Sequence, residues 1–84
     1  MTESIATAVD VVIVAFNSGH WLGRAVVSAL AAAGVARVIV VDNASSDASL
    51  LALPPDARLS VLINETNVGF AAAANRGCKA ATAA

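Results

Sequence analysis

The sequence predicts an α/β fold in which helices flank a parallel sheet. Three segments of the 84-residue chain are rich in β-branched residues: 9–16 (VDVVIVAF), 37–42 (RVIVVD) and 59–64 (LSVLIN). A segment with helical features follows each of them, and strands that alternate with helices form parallel sheets with right-handed crossovers. We therefore expect an α/β fold with a parallel sheet of three strands.

The first strand and helix follow from hydrophobic spacing. Residues 9–16 are a nearly continuous apolar run, which is typical of a strand buried on both faces. The Asn17-Ser18-Gly19 break comes next, and apolar residues then recur at helical spacing over 20–33. Ser18 is the expected N-cap of this helix, and Gly34 is the residue expected just past its C-terminus.

The second and third units have the same form. After the buried strand 37–42, residues 43–47 have the composition of a turn, and Ser46 or Asp47 can cap a short helix that runs through Leu53. Pro54-Pro55 ends that helix. After the third strand, a polar loop at 65–69 leads into an Ala-rich segment, which favours a helix from Phe70 to the C-terminus.

Composition excludes several classes of protein. Hydrophobic residues make up 58% of the chain and charged residues 13%, which excludes intrinsic disorder. The net charge is −1 and no basic stripe is present, so the electrostatic footprint of nucleic-acid binding is missing. The uncharged apolar stretch 25–36 is shorter than the ~20 residues of a membrane-spanning helix. We expect a cytoplasmic location. For the full-length protein, the expected location includes the inner face of the cell membrane. Any membrane association would be made by regions outside these residues.

The three strands each end in polar residues, and open parallel sheets bind ligands beyond the carboxyl ends of their strands. Asn17 follows the first strand, Asp42 ends the second, and Asn64 ends the third. A carboxylate placed like that of Asp42 can accept hydrogen bonds from a ribose hydroxyl or a base N–H. It can equally end the strand and bond its own turn, and the sequence leaves both interpretations open.

Two phosphate-binding motifs are absent. The first strand is not followed by G-x-G-x-x-G, and no G-x-x-x-x-G-K-[ST] loop occurs. A pyrophosphate bound here would have to be neutralised in another way, and a divalent metal is the obvious candidate.

Three motifs in order, VVIVAFNSGHWL, VIVVDNASSD and NETNVGFAAAANRG, resemble the nucleotide-binding N-terminal half of family 2 glycosyltransferases, which have the GT-A fold. The resemblance covers residues 9–80 and is nearest to the rhamnosyltransferase-like branch. It implies part of the GT-A fold, a Rossmann-like, three-layer fold with three parallel strands in the order 3-2-1 and flanking helices. It implies an enzyme of the hexosyltransferase type, of bacterial polysaccharide or cell-wall biosynthesis. Such an enzyme transfers a sugar from a nucleoside-diphosphate donor to a glycan or lipid-linked acceptor.

The resemblance also implies a role for individual positions. Ala15, Phe16 and Asn17 would contact the nucleobase and ribose, and Asp42 would contact the base or ribose. The remaining implied positions lie in the two later loops and the last helix: Asn43, Ser45, Asp47, Asn67, Gly69, Phe70, Asn75 and Gly77. Of these, Asp47 is expected to cap a helix and not to touch the donor.

The catalytic and metal-binding residues of the family are expected elsewhere. The family's D-x-D motif, which binds Mg²⁺ or Mn²⁺ at the end of a fourth strand, does not occur in residues 1–84, nor does its catalytic base. We therefore interpret 1–84 as the N-terminal part of one GT-A domain, inactive by itself. A buried strand ending in D-x-D or N-x-D is expected within about 15 residues after Ala84, because connections in such units are short.

Two alternatives remain at this stage. A non-catalytic nucleotide-binding domain would share every motif. A Rossmann-type oxidoreductase fragment would share the sheet and the acid, but it requires the glycine motif that this sequence lacks.

Six residues have simpler expected roles. His20 is expected at the surface, Cys78 as a small buried hydrophobe, and Trp21 packed between the first helix and the sheet. Arg76 and Lys79 are expected on a solvated helix face, with phosphate contact the minority interpretation. Gly69 is expected to supply a positive φ in its turn.

Overall fold

The computed structural model describes residues 8–82, and the strands and helices alternate as predicted. The strands are β1 (Val9–Ala15), β2 (Val35–Asp42) and β3 (Leu59–Ile63). The helices are α1 (His20–Ala31), a 3-10 helix (Ser49–Ala52) and α2 (Phe70–Thr82). All strand pairs are parallel and β2 lies between β1 and β3, which confirms the predicted order.

The sheet is the middle layer of three, because successive side chains of β2 point to opposite faces. Val38 and Val40 pack on the side of α1 and the 3-10 helix. Ile39 and Val41 pack on the side of α2, together with the buried Ala73. These four β2 side chains are almost fully buried, so the expectation of a buried second strand is confirmed.

The expectation that β1 is buried on both faces is wrong. Only Ala15 of this strand is buried, and most of its other side chains are half-buried. Within residues 8–82, β1 pairs on one side only, with β2, so its other edge lies outside the core. The strand also ends at Ala15, which leaves Phe16 in the following loop with 51% of its surface exposed.

The two ends of α1 also differ from expectation. Gly19, not Ser18, occupies the N-cap position, with a φ of 58° and no side-chain cap. The positive φ favours glycine at this position. The helix ends at Ala31, and Gly34, with a φ of 82°, instead shapes the turn into β2.

Helix α2 approaches the sheet closely at Gly77. A Cβ atom on this residue would lie 2.4 Å from Cγ1 of Val12 and 3.0 Å from Cγ2 of Val41. The absence of a side chain therefore sets the distance between α2 and the sheet. At the far end of α2, Arg37 pairs with Asp10 at 2.6 Å and also donates to the Ala81 carbonyl.

Within residues 8–82, no helix has the length and apolar character that crossing a membrane requires.

Candidate functional site

The candidate site is the carboxyl edge of the sheet, where loops 16–19, 43–48 and 64–69 meet. Backbone hydrogen bonds extend the strand pairing into two of these loops. The Asn43 N–H donates to the Ala15 carbonyl and the Asn64 N–H donates to the Asp42 carbonyl, both at 2.8 Å. The three strand ends therefore lie side by side, as the sequence predicted.

Asp42 is buried at the centre of this edge, with 1% of its surface exposed. Its Oδ2 accepts the Ser45 N–H at 2.9 Å, and its Oδ1 accepts the Ser45 hydroxyl at 2.5 Å. The carboxylate thus bonds its own turn, which was one of the two interpretations that the sequence left open. A carboxylate has about four acceptor sites, so these two bonds do not exhaust its capacity.

Asn17 joins the first loop to the second. Its N–H donates to the Ser45 hydroxyl oxygen at 2.9 Å, and its Oδ1 accepts the Ser46 N–H at 2.8 Å. Asn17 has a φ of 49°, in the left-handed region that Asn tolerates better than most residues. Asp42, Ser45 and Asn17 therefore form one continuous chain of hydrogen bonds.

Asp47 makes the second connection between these loops. Its Oδ2 accepts the Gly19 N–H at 3.0 Å, while its Oδ1 accepts the hydroxyl and N–H of Ser49 at 2.6 and 3.1 Å. These hydrogen bonds, those from Ser49 first, lower the pKa of the Asp47 carboxyl below its ordinary value. The N-cap position of the 3-10 helix is Ala48. Asp47 lies one residue before it and accepts the N–H of Ser49, the first helical residue.

Asn43 ties the second loop to the third and is 3% exposed. Its Nδ2 donates to the Gly69 carbonyl at 3.1 Å. Its Oδ1 accepts Nδ2 of Asn64 at 2.8 Å and the Val68 N–H at 3.3 Å. The amide of Asn43 is therefore committed to the protein and does not face solvent.

The sequence did not identify Asn64 as the partner of Asn43, or Arg76 as the partner of Asn64. Nη1 of Arg76 donates to Oδ1 of Asn64 at 2.5 Å and to the Ile63 carbonyl at 3.1 Å. One signal was present: Asp42 pairs with Ile63 in the sheet, so the residues after them, Asn43 and Asn64, are brought opposite each other.

The remaining predicted residues lie on the exposed side of the edge or on α2. Gly69 has the expected positive φ of 84°, and its N–H donates to Oδ1 of Asn67 at 2.8 Å. Asn67, Gly69, Phe70 and Asn75 are exposed. The predicted residues thus divide into an exposed set, the half-buried Ser45, and a buried set that contains Ala15, Asp42, Asn43 and Gly77.

Two predicted side-chain environments are wrong. Trp21 is 62% exposed and stacks with its neighbours, with the Arg24 guanidinium 5.0 Å from its ring centroid. Its neighbour Leu22 takes the core-facing position, so Trp21 lies about 100° around the helix from that stripe. Cys78 is exposed because it follows Gly77, the residue that faces the sheet. His20 is exposed, as expected.

A groove of about 400 Å³ lies between α1 and the 3-10 helix, and its lining residues include His20, Arg24 and Ala52. None of the predicted site residues lines it, so it is a separate surface.

Within the described part of the chain, no three His, Cys, Asp or Glu side chains form a group that could hold a metal ion. The described residues therefore do not supply a complete set of ligands for a divalent cation.

A family model described as glycosyl transferase family 2 matches residues 10–84. The chain is 42% identical over 76 residues to the succinoglycan biosynthesis protein ExoO of Rhizobium meliloti (strain 1021), covering 87% of this chain and 22% of that protein. It is 42% identical over 79 residues to the succinoglycan biosynthesis protein ExoU of the same strain, covering 89% and 23%. The chain thus spans less than a quarter of the length of these relatives. No solved structure gives a significant match.

Proposed function

The chain belongs to glycosyl transferase family 2, and we propose that its carboxyl edge recognises the nucleotide of a nucleoside-diphosphate sugar. The full-length protein would be a hexosyltransferase that transfers the sugar to a glycan or lipid-linked acceptor in the cytoplasm or at the inner face of the membrane. The names of the two relatives support polysaccharide biosynthesis as its context. The finer assignment to the rhamnosyltransferase-like branch rests on the sequence motifs. Family membership favours this function over the oxidoreductase alternative.

The observation that carries the proposal is the cross-linking of three polar loops at one edge of the sheet. Asn17 is bonded to the second loop, and Asn43 of the second loop is bonded to the third. Such connections fix the loops before a ligand arrives, which reduces the ordering cost of binding. A ligand that contacts all three loops at once, such as a nucleotide, suits this surface.

We assign the direct nucleotide contacts to the accessible residues. The exposed ring of Phe16 can stack on a nucleobase, and Asn17 beside it can contact the ribose. Asn67, Gly69 and Asn75 extend the accessible surface along the third loop and α2. Asp42 supports the contact surface from beneath, because its carboxylate orients Ser45 and Ser45 in turn binds the Asn17 amide.

The metal and the catalytic base are assigned to other parts of the full-length protein. A bound Mg²⁺ or Mn²⁺ would stabilise the nucleoside diphosphate as it leaves. The residues described here bind and orient the nucleotide and take no part in proton transfer in this proposal.

Calorimetric titration of the full-length protein with UDP, dTDP, GDP and ADP tests the proposal. We expect one of these nucleotides to bind, and Phe16→Ala to weaken that binding by about 1–3 kcal/mol, the usual value of stacking a base on an aromatic ring. Leu51→Ala is the matched control, since Leu51 is 87% exposed on the 3-10 helix and outside the carboxyl edge. Failure of all four nucleotides to bind, or equal affinities for the two variants, would contradict the proposal.

A further inference from the structure

Arg76 determines the orientation of a chain of amide groups. A guanidinium can only donate hydrogen bonds, so the Asn64 atom 2.5 Å from its Nη1 has to be the amide oxygen. The Nδ2 of Asn64 is then directed at Asn43, whose nearest atom, at 2.8 Å, has to be an acceptor. At each step, only one orientation of the next amide group allows the hydrogen bond to form.

The chain ends on the backbone of the third loop. With its Oδ1 facing Asn64 and the Val68 N–H, Asn43 directs its Nδ2 at the Gly69 carbonyl. The same carbonyl accepts the Ala73 N–H at 3.3 Å, the first hydrogen bond that links the loop to α2. The orientation set at Arg76 is thereby passed to the loop backbone and to the start of α2.

We propose that Arg76 and Asn64 are positioning residues that act through the buried amide of Asn43 to hold the 64–69 loop in its nucleotide-binding conformation. This inference rests on the proposed function. It assigns no ligand contact to the three side chains. Asn43, which the sequence motif placed among the nucleotide contacts, acts here on the loop and not on the nucleotide.

Both the burial of Asn43 and the geometry of its partners support this role. If the Asn43 amide were reversed, its nitrogen would face two donors, the Asn64 amide and the Val68 N–H, and its oxygen would face the Gly69 carbonyl. Buried polar groups left without partners are costly, so the alternative orientation is strongly disfavoured. The Val68 N–H and the Gly69 carbonyl thus favour the same Asn43 orientation that Arg76 favours through Asn64.

The test combines loop exchange with nucleotide affinity in the full-length protein. Arg76→Leu removes the donor, Arg76→Lys retains a donor-only cation, and Arg24→Leu is the matched control for loss of one positive charge on α1, across the sheet. We expect amide exchange in the 64–70 segment to accelerate in Arg76→Leu and to return toward the wild-type rate in Arg76→Lys. The affinity for whichever of UDP, dTDP, GDP and ADP binds should fall roughly threefold in Arg76→Leu, because Arg76 is solvent-exposed, and roughly tenfold in Asn43→Ala.

The double variant Arg76→Leu/Asn43→Ala shows whether Arg76 acts through Asn43, an arrangement we call the relay, or stabilises the loop independently of it. If Arg76 and Asn43 acted independently of each other, the effects of the two substitutions on affinity would multiply. The relay predicts instead that Arg76→Leu has no further effect on affinity once Asn43 is Ala. Multiplying effects, or an Arg76→Leu variant that binds and exchanges like Arg24→Leu, would overturn the inference. If the wild type binds none of the four nucleotides, the proposed function fails, and the exchange rates alone decide whether the relay positions the loop.

Discussion

Asp42 and Ser45 show how a buried charge can shape an exposed surface. Asp42 is the one buried acidic residue within residues 8–82, and both its oxygens accept hydrogen bonds from Ser45. A buried carboxylate is tolerated because it is hydrogen-bonded, and these bonds hold the 43–47 turn against the first loop. The exposed Asn17 is therefore held in place by a residue that is itself almost inaccessible.

Asp42→Asn and Ser45→Ala are expected to weaken nucleotide binding to a similar extent, by about 1–3 kcal/mol, if Asp42 acts through Ser45. Both substitutions weaken the same chain of hydrogen bonds to Asn17. An asparagine amide offers one acceptor to the two donors of Ser45, and an alanine at position 45 has no hydroxyl. Calorimetric titration of the full-length variants measures the effect. If Asp42→Asn weakens binding while Ser45→Ala does not, Asp42 contacts the nucleotide directly and the indirect role is wrong.

Asp47 is expected to give the protein a pH-dependent contribution to stability. Its carboxyl pKa in the folded protein is lowered from 3.8, mainly by the Ser49 hydrogen bonds. A lowered pKa stabilises the fold above the unfolded-state pKa, and this contribution is lost as pH falls through the folded-state pKa. Urea unfolding should therefore show Asp47→Asn to be less stable than wild type at pH 7, with the gap closing as pH falls below 3.8. A gap that stays constant down to pH 2 would contradict this account.

Individual side-chain environments were the least predictable feature of the sequence. The exposure of Trp21 depends on which neighbour faces the core, and Leu22 takes that position. The role of Asn43 depends on the register of β2 against β3 and on the path of the 64–69 loop. Neither is encoded in local spacing, so both required the three-dimensional structure.

At the scale of elements, helix α2 is positioned by the one residue that lets it approach the sheet. Gly77→Ala would improve helix propensity by about 1 kcal/mol. It would also place a Cβ atom 2.4 Å from Val12, a distance that requires movement of the helix or the strand. Overpacking of this kind costs about 1–3 kcal/mol, so the clash outweighs the gain in propensity.

We therefore expect Gly77→Ala to lower the free energy of unfolding in chemical denaturation. Val12→Ala removes the atom that clashes, so the double variant should be more stable than the sum of the single effects predicts. Strictly additive effects, or a stabilised Gly77→Ala protein, would show that the close contact does not set the position of α2.

Strand and helix positions were predictable because they depend on hydrophobic periodicity. Within residues 8–82, the predicted strand and helix boundaries fall within about two residues of those observed, as expected when apolar runs and turn residues agree. The predicted C-terminal end of the last helix lies outside the described residues. The ends of α1 were less predictable, since Gly19 owes its N-cap position to a backbone conformation and to its hydrogen bond with Asp47. That bond spans 28 residues and leaves no local signal.

At the scale of the whole molecule, the sheet has an edge at β1. Within residues 8–82, β1 pairs only with β2, and an unpaired apolar edge strand can pair with another chain. We propose that residues 1–84 form the N-terminal part of one GT-A domain in the full-length protein, where a further strand would cover this edge.

Expressed alone, residues 1–84 are expected to self-associate and to show no sugar transfer. Size-exclusion chromatography over a range of concentrations should show elution shifting to larger species as concentration rises. A monomeric peak at every concentration, with dispersed and protected amide resonances from Val11 to Val14, would show a finished domain and contradict this expectation.

Hydrogen–deuterium exchange of the full-length protein, with and without the nucleotide that binds, tests whether the carboxyl edge of the sheet is the nucleotide site. We expect the nucleotide to slow exchange in the three loops of this edge, 16–19, 43–48 and 64–69, and to leave exchange in the groove between α1 and the 3-10 helix unchanged. Protection confined to that groove, or to regions outside residues 8–82 with none in the three loops, would contradict it.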